Sequence, residues 1–245
     1  MRLGVVIVLA VLGVGGIAWA VFVAGKGAPA MHGSAPQAAA ALPAPATVAL
    51  PTPATEGAVS VEQALCRRRS VRSYADSALK LREVGQLLWA AQGITDPRRG
   101  FRTAPSAGAL YPLEVYLVAG KVEGLAQGVY RYGPQGHSLS LWQSGDVRSS
   151  LCSAAYDQDQ IRAAPALLCI TAVYGRTRAK YGAKAERFAQ IETGHAGQNV
   201  CLQAVALGLA SCVTGGFDDG QVSAVLRLPE GEAPLVIIPV GRPRT

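Results

Sequence analysis

The chain has 245 residues and a mass of 25.3 kDa, which suits one sizeable domain or two small ones. Half of the residues are hydrophobic and only 16% are charged, so the composition excludes a disordered or fibrous protein. The formal net charge is +7, which keeps a nucleic-acid or anionic-lipid partner in view. The five cysteines form no CxxC pair and the three histidines lie far apart, which argues against a zinc or disulfide framework. We expect the cysteines to fill the core as small apolar side chains.

The first segment, residues 3–25, contains no charged residue. At a rise of about 1.5 Å per residue it would extend roughly 30 Å, enough to cross the hydrocarbon of a membrane. Ala18, Trp19 and Ala20 also form the A-x-A cleavage pattern of a signal peptide. We therefore predict a transmembrane anchor or a cleaved signal. Arg2 before the segment favours an extracytoplasmic position for the domain that follows.

Residues 26–59 are rich in Ala and Pro and carry few charges. Prolines remove backbone donors and favour extended polyproline geometry, so this stretch predicts a semi-rigid linker. The folded domain is then predicted over residues 60–245, which is long enough for one hydrophobic core.

Within that domain, helical and strand patterns alternate irregularly. Ser60 and Gln63 have the spacing of a capping box that opens a short helix. Hydrophobic spacing predicts further helices over residues 80–92, 184–207 and 219–226, the first of them stopping at Gly93. Strands are predicted over residues 113–119, 166–174 and 234–240, and a hairpin over residues 129–132 and 138–142. The pattern predicts an α+β fold with a mixed sheet flanked by helices.

A basic cluster, RRRSVRSY, occupies residues 67–74 at the end of the first predicted helix. Its guanidinium and hydroxyl groups suit a phosphate monoester, because Arg donates two-point hydrogen bonds to such anions. A solvated basic helix end, favoured by the helix dipole, explains the same residues equally well.

Two further segments consist of small residues that let the backbone approach a ligand. Residues 103–112, TAPSAGALYP, could contact a flat ligand, although a tight turn has the same composition. Gly215 and Gly216 precede a predicted helix and could present N–H groups to an electron-rich atom. A plain turn followed by an Asp N-cap is the alternative there.

Five segments in chain order resemble the nitroreductase superfamily, and most of all its SagB-type branch of thiazole- and oxazole-forming dehydrogenases. The segments are RRRSVRSY, AAQGI, RTAPSAGALYPLEVYLV, AKYG and FAQIETGHAGQNVCLQAVALGL. The resemblance implies an FMN-dependent oxidoreductase with an α+β fold that transfers hydride through flavin N5. It also implies a homodimer with the flavin at the subunit interface.

Carried over by position, the resemblance assigns roles to individual residues. It places the FMN phosphate at Arg68, Arg69 and Ser70, with Arg242 or Arg244 completing the site, and Arg72 at the pyrimidine edge of the flavin. It places Pro105, Ser106 and Ala107 along the ring, and Gly215 and Gly216 near N5. Lys180 and Tyr181 fall where azoline-oxidising members carry a catalytic pair for proton removal, although an ordinary surface lysine is the alternative.

The resemblance implies a small organic or peptide-derived substrate and NAD(P)H as electron donor. A domain outside the cytoplasm has no NAD(P)H supply, so a quinone or a redox partner could replace it. His195, beside Gly194, Ala196 and Gly197, is assigned to packing at the dimer interface rather than to catalysis.

Two other functions stay open. One is a non-catalytic FMN- or ligand-binding docking protein at the membrane. The other is a basic module for anionic lipid or nucleic acid. Because the arginines outside the basic cluster are spread out, we expect no nucleic-acid partner.

Overall fold

A seven-stranded sheet is the centre of the computed structural model, which describes residues 47–244. In chain order the strands are β1 (Thr47–Ala49), β2 (Ile94–Asp96), β3 (Phe101–Arg102), β4 (Leu113–Ala119), β5 (Gly128–Gly133), β6 (Ser138–Ser144), β7 (Ala166–Val173), β8 (Ala210–Ser211) and β9 (Glu232–Gly241). The large sheet has the order β1-β6-β5-β4-β7-β9-β8, and β2 pairs with β3. Its ladders are antiparallel, and isolated parallel bridges join Ser70 to Ser211 and Leu79 to Val122.

The helices lie on both faces of this sheet. They are α1 (Val61–Arg67), α2 (Leu81–Gln92), α3 (Arg148–Ala154), α4 (Asp159–Ala163), α5 (Gly175–Tyr181), α6 (Ala185–Ala206) and α7 (Asp219–Leu226). The predicted capping box is present, because Ser60 Oγ accepts the Gln63 N–H at 3.2 Å and Gln63 Oε1 accepts the Ser60 N–H at 3.3 Å. The predictions for α2, α6, α7 and the β5–β6 hairpin are also confirmed. The α+β prediction is therefore correct.

The central strands β4 and β7 are buried on both faces, which explains why their sequences are mostly apolar. Leu117 and Leu168 point to the layer that contains α2 and α6, whereas Tyr116 and Leu167 point to the layer of α3, α4 and α7. Successive side chains of a strand alternate between faces, so one strand contributes to both cores. This three-layer arrangement fixes α6 against one face of the sheet.

The folded unit begins upstream of the boundary predicted at Ser60. Strand β1 pairs with β6 and forms one edge of the large sheet, and Leu50 is buried in the core. The side chain of Gln86 in α2 accepts the Ala54 N–H at 2.8 Å and donates to the Ala54 carbonyl at 3.0 Å. The last part of the predicted linker is thus attached to the domain, because its backbone hydrogen bonds are satisfied by a sheet edge and a buried glutamine.

The predicted membrane segment, residues 3–25, lies outside the described residues. Among residues 47–244, none of the helices combines the length and the apolar character that crossing a membrane requires. The anchor and the extracytoplasmic location therefore stay predictions.

Helix α6 packs on the sheet through small residues rather than through its large apolar ones. Its inward side chains include Ala189, Ala196, Gly197 and Val200, all buried. The predicted stripe lies outward and none of its members is buried: Phe188, Ile191, His195, Asn199, Leu202 and Val205. Ala196 and Gly197, the small residues beside His195, face the protein's own sheet and let α6 approach it.

Candidate functional site

Three of the segments singled out in the sequence meet α6, one after another along its length. Near its middle, Glu192 contacts the loop of residues 103–112. One and a half turns further on, a Cβ on Gly197 would lie 3.9 Å from Val213, just before the glycine pair. At Cys201 the helix is close enough to the basic cluster for the charge of Arg68 to act on the pKa of the Cys201 thiol. From Glu192 to Cys201 the helix rises about 14 Å at 1.5 Å per residue.

The basic cluster bends from the end of α1 onto the edge of the sheet at β8. Ser70 forms its parallel bridge with Ser211, and the Val71 N–H donates to the Ser211 carbonyl at 3.0 Å. Cys201 lies behind this edge: burial raises the pKa of its thiol, while a hydrogen bond with Ser211 and the charge of Arg68 act in the opposite direction. The tertiary structure thus places Arg68 and Ser70 at the Cys201 end of the row of segments that meet α6.

The arginines of the cluster differ in what they contact. Arg69 folds back, and its Nη1 donates to the carbonyls of Cys66 at 3.0 Å and Arg68 at 2.7 Å, which caps the end of α1. Arg68 and Arg72 make no side-chain hydrogen bond within residues 47–244, so their N–H donors are available there. The helix-end interpretation therefore fits Arg69, and the anion-site interpretation fits Arg68 and Arg72.

Arg242 and Arg244 lie next to the exit of the cluster. The Ala75 N–H donates to the Arg242 carbonyl at 3.0 Å, and Tyr74 bridges to Pro243. Arg242 Nη2 is held by the buried carboxylate of Glu83 at 2.9 and 3.1 Å. Part of its donor capacity is therefore used inside the protomer, whereas the Arg244 side chain is exposed.

The glycine pair opens onto free space. A Cβ on Gly215 would meet nothing within 4 Å, and one on Gly216 would meet Gln158 Nε2 at 3.7 Å. Thr214 Oγ1 is buried and has no hydrogen-bond partner in the part of the chain that the structure describes. Asp218 caps α7 by accepting the Gln221 N–H at 2.8 Å, so the N-cap alternative is correct for Asp218. A ligand with a polar edge could hydrogen-bond to this hydroxyl, and the open backbone beside it would give the ligand room.

The loop of residues 103–112 is anchored to α6 by a carboxylate that the sequence analysis did not assign. Glu192 is only 4% exposed, and its Oε1 accepts the Ala107 N–H at 2.8 Å. Burial raises the pKa of Glu192, while hydrogen bonds from Ala107 and Ser106 act in the opposite direction. Ser106 Oγ in turn accepts the Tyr111 N–H at 2.8 Å. This network fixes the backbone of the predicted ring-contacting segment.

Lys180 and Tyr181 lie against the same loop. Gly108 has φ +62°, and a Cβ placed on it would lie 2.8 Å from Tyr181 Oη and 2.9 Å from Lys180 Nζ. Only a glycine accommodates both the left-handed conformation and the close approach. The structure therefore brings the pair to within contact of the segment that contains Pro105, Ser106 and Ala107.

A comparison with protein families identifies the fold. The model of the Nitroreductase family matches residues 65–242 of the chain. The chain belongs to the nitroreductase family. Members of this family are typically flavin-dependent oxidoreductases.

Individual relatives agree with that membership. MJ1384, a nitroreductase-family protein of Methanocaldococcus jannaschii, is 44% identical over 184 residues, which cover 75% of this chain and 91% of the relative. McbC, a microcin B17-processing protein of Escherichia coli, is 30% identical over 165 residues, which cover 65% of this chain and 61% of McbC. A solved nitroreductase-family structure from Ralstonia eutropha is 30% identical with a TM-score of 0.72, covering 84% of this chain and 97% of that one.

Two site features of this nitroreductase-family chain needed the structure. Glu192 stands in the segment ETGHAGQN, and a lone acidic residue among small helix positions was its only sequence signal. His195 is exposed and shares a small cavity of about 270 Å³ with Pro105, Ser106 and Glu192. Its assignment to a dimer interface stays a prediction.

Proposed function

We propose that the protein is an FMN-dependent oxidoreductase that moves hydride between flavin N5 and a small organic or peptide-derived substrate. The observation that carries this proposal is the succession along α6 of an anion-suited end at Arg68, an open backbone at Gly215 and an anchored loop at Ser106. FMN has a phosphate at one end and a flat ring at the other, so its parts match these segments in order. The donor chemistry fits each part.

The residues of the chain divide the work of holding such a cofactor. Arg68 and Ser70 would bind the phosphate, and Arg72 would bind the pyrimidine edge of the flavin. The unpartnered Thr214 hydroxyl would bind a polar atom near the glycine pair. Glu192 would keep the Ser106–Ala107 backbone in place beside the ring. Bound FMN supplies a hydride donor and acceptor, and the protein supplies position and electrostatics.

Lys180 and Tyr181 are proposed to handle the proton of the reaction. Oxidising a carbon–hydrogen bond beside a nitrogen removes a hydride and a proton, so a base must accept the proton. Lys180 Nζ and Tyr181 Oη both approach Gly108, within the ring-contacting loop. The similarity to McbC supports the SagB-type branch and a peptide-derived substrate as the finer form of the proposal.

The proposal is tested first by the absorbance spectrum of the purified full-length chain, before and after anaerobic addition of NADH or NADPH. Flavin bands that bleach support the oxidoreductase. Bands that bleach only with a reduced quinone support an oxidoreductase that uses a quinone instead of NAD(P)H. An extracytoplasmic domain would need such a donor. Bands that no donor bleaches favour the docking protein, and a colourless chain that takes up no added FMN contradicts a flavin site.

Replacing Arg68 with Ala should weaken FMN binding roughly ten- to hundredfold, because a hydrogen bond between charged groups is lost at the phosphate. The dissociation constant is measured by quenching of flavin fluorescence. Arg67→Ala removes the same charge from an exposed neighbour and is the matched control. Equal effects of the two substitutions would remove Arg68 from the site.

The homodimer is proposed to form over the outward face of α6 and α1. Large apolar side chains are exposed there in the single protomer, with Val61 64%, Leu65 52% and Ile191 47% exposed. Exposed large apolar side chains of this kind are typical of an interface. This face adjoins Glu192 and the loop of residues 103–112, as a flavin at the subunit interface would need.

Ile191→Glu should raise the dimer dissociation constant by roughly tenfold or more, because a carboxylate would be buried without a partner. Sedimentation velocity over a dilution series measures the change. Gln190→Glu, at the adjacent exposed position of α6, is the control and should leave the dimer intact. A chain that sediments as a monomer before any substitution would contradict the interface.

A further inference from the structure

A second cavity, of about 650 Å³, is lined in part by Leu110 and Tyr111, at the end of the loop of residues 103–112. Its charged lining consists of three guanidinium groups and one carboxylate, those of Arg102, Arg131, Arg176 and Glu114. Tyr132, Leu141 and Trp142 form an apolar wall beside them. None of these residues belongs to the flavin site described above.

The single carboxylate of the cavity is shared by two of the arginines. Glu114 Oε2 accepts Arg131 Nε at 3.1 Å, and its Oε1 lies 3.0 Å from Arg131 Nη2 and also bonds Arg176 Nη2. The Glu114 side chain is 11% exposed, whereas those of Arg131 and Arg176 are 40% and 38% exposed. Glu114 therefore lies beneath the guanidinium groups. The N–H donors that do not bond Glu114 remain available to the open cavity.

The third arginine has no carboxylate of its own. Arg102 Nη1 donates to Gln92 Oε1 at 2.9 Å, and its guanidinium lies 4.3 Å from the ring centroid of Tyr111. Within residues 47–244, that glutamine is the one hydrogen-bond acceptor of its side chain. Burial lowers the pKa of Arg102, which reflects the cost of holding this cation away from water.

The charges of the cavity leave a small positive excess. A further carboxylate, that of Glu232, bonds Thr171 and interacts with Arg131 and Glu114. With both carboxylates ionised, the three arginines still exceed them by one positive charge. A monoanion would balance that excess, and a planar carboxylate matches the fork of an arginine.

The cavity is connected to the proposed reaction site through α5. Arg176 Nη1 donates to the Tyr111 carbonyl at 3.0 Å at one end of the loop, and Lys180 approaches Gly108 within it. Residues four apart lie on the same side of a helix, about 6 Å from each other. A substrate bound in the cavity could therefore reach Lys180 within one helical turn.

We propose that this cavity is a substrate subsite that binds a carboxylate group attached to an apolar or aromatic body. Arg102, with Arg131 and Arg176, binds the carboxylate, and Tyr132 and Trp142 contact the apolar part. As a substrate subsite it rests on the proposed oxidoreductase function. It narrows the substrate to organic acids, such as a peptide-derived product with a free carboxyl group.

Calorimetric titration of the full-length chain with 3-phenylpropanoate, and with its neutral amide 3-phenylpropanamide, tests the subsite without relying on turnover. The acid should bind at least tenfold more tightly than the amide. Arg102→Gln should weaken binding of the acid roughly ten- to hundredfold and leave the amide unchanged. Ser140→Glu, which adds a carboxylate to the lining, should also weaken binding of the acid.

Arg162→Gln is the matched control, because Arg162 is an exposed arginine outside the cavity lining. Equal binding of acid and amide, or equal losses in Arg102→Gln and Arg162→Gln, would overturn the proposal. The flavin spectrum of the same samples separates the two proposals. Reducible flavin without acid binding refutes the subsite alone, and acid binding with these variant effects but without flavin refutes the oxidoreductase alone.

Discussion

Replacing Glu114 with Gln should lower the free energy of unfolding by about 3 kcal/mol. The carboxylate is buried, and it accepts hydrogen bonds from Arg131 and Arg176. A neutral amide would not compensate the positive charges of these two arginines. Breaking a buried ion pair by removing one partner costs about 3–5 kcal/mol. The lower end applies here because both guanidinium groups keep more than a third of their side-chain surface exposed.

Urea unfolding of the full-length chain measures this loss, with Glu123→Gln as the exposed control. The same carboxylate gives a pH dependence. Burial by itself would raise the pKa of Glu114, but the hydrogen bonds and charges of Arg131 and Arg176 outweigh it and hold the pKa below 4.5. The folded state then binds fewer protons than the unfolded state, so this stabilisation is present at neutral pH and is lost as the pH falls below about 4.5.

In Glu114→Gln, the part of the acid sensitivity that belongs to this group should disappear. A variant that loses less than about 1 kcal/mol, with an unchanged pH profile, would show that the arginines are solvated well enough without Glu114.

Leu168→Ala should cost about 3–5 kcal/mol of unfolding free energy, the largest effect expected for a single substitution discussed here. Leu168 is fully buried in β7, between β4 and β9, on the face covered by α2 and α6. The side chain fills space between the sheet and these helices, and a close-packed interior relaxes only partly, so much of that space would stay empty.

Urea unfolding again gives the measurement. Leu168→Met, which nearly conserves volume, should cost less than about 1.5 kcal/mol. Leu141→Ala, on the exposed side of β6 with 37% exposure, should cost less than Leu168→Ala. A loss in Leu168→Ala no larger than in Leu141→Ala would mean that the α6 face of the sheet is loosely packed.

The elements that could be read from the sequence are those whose signal is local. Helix α2 has apolar residues at helical spacing and a glycine at its end, and β7 is an apolar run with one threonine. Strand β1 was missed because its residues lie in an Ala/Pro-rich stretch and become a strand only by pairing with β6. The inward face of α6 was misjudged because Ala and Gly give a weak apolar signal even where they form the contact.

The candidate site was readable as motifs but not as an arrangement. Arg68, Ser106 and Gly215 were identified from residue type and family resemblance. That Arg69 instead caps α1 depends on the local backbone at the end of that helix, whereas the pairing of Glu83 with Arg242 joins residues far apart in sequence. Glu192 carried no motif of its own, since a buried carboxylate is recognised only once the backbone N–H groups around it are known.

The sequence by itself indicated the family through the resemblance of five ordered segments. Its local pattern and composition indicated the α+β class and the residue types that suit a phosphate and a flat ring. The tertiary structure decided which arginines remain available, which face of α6 turns outward, and that Arg102, Arg131 and Arg176 line one cavity with Glu114. These three arginines come from three separate elements, and only the packing of β3, β5 and α5 brings them together. Charged side chains bind an oppositely charged ligand strongly when the fold keeps them away from water and from other compensating charges.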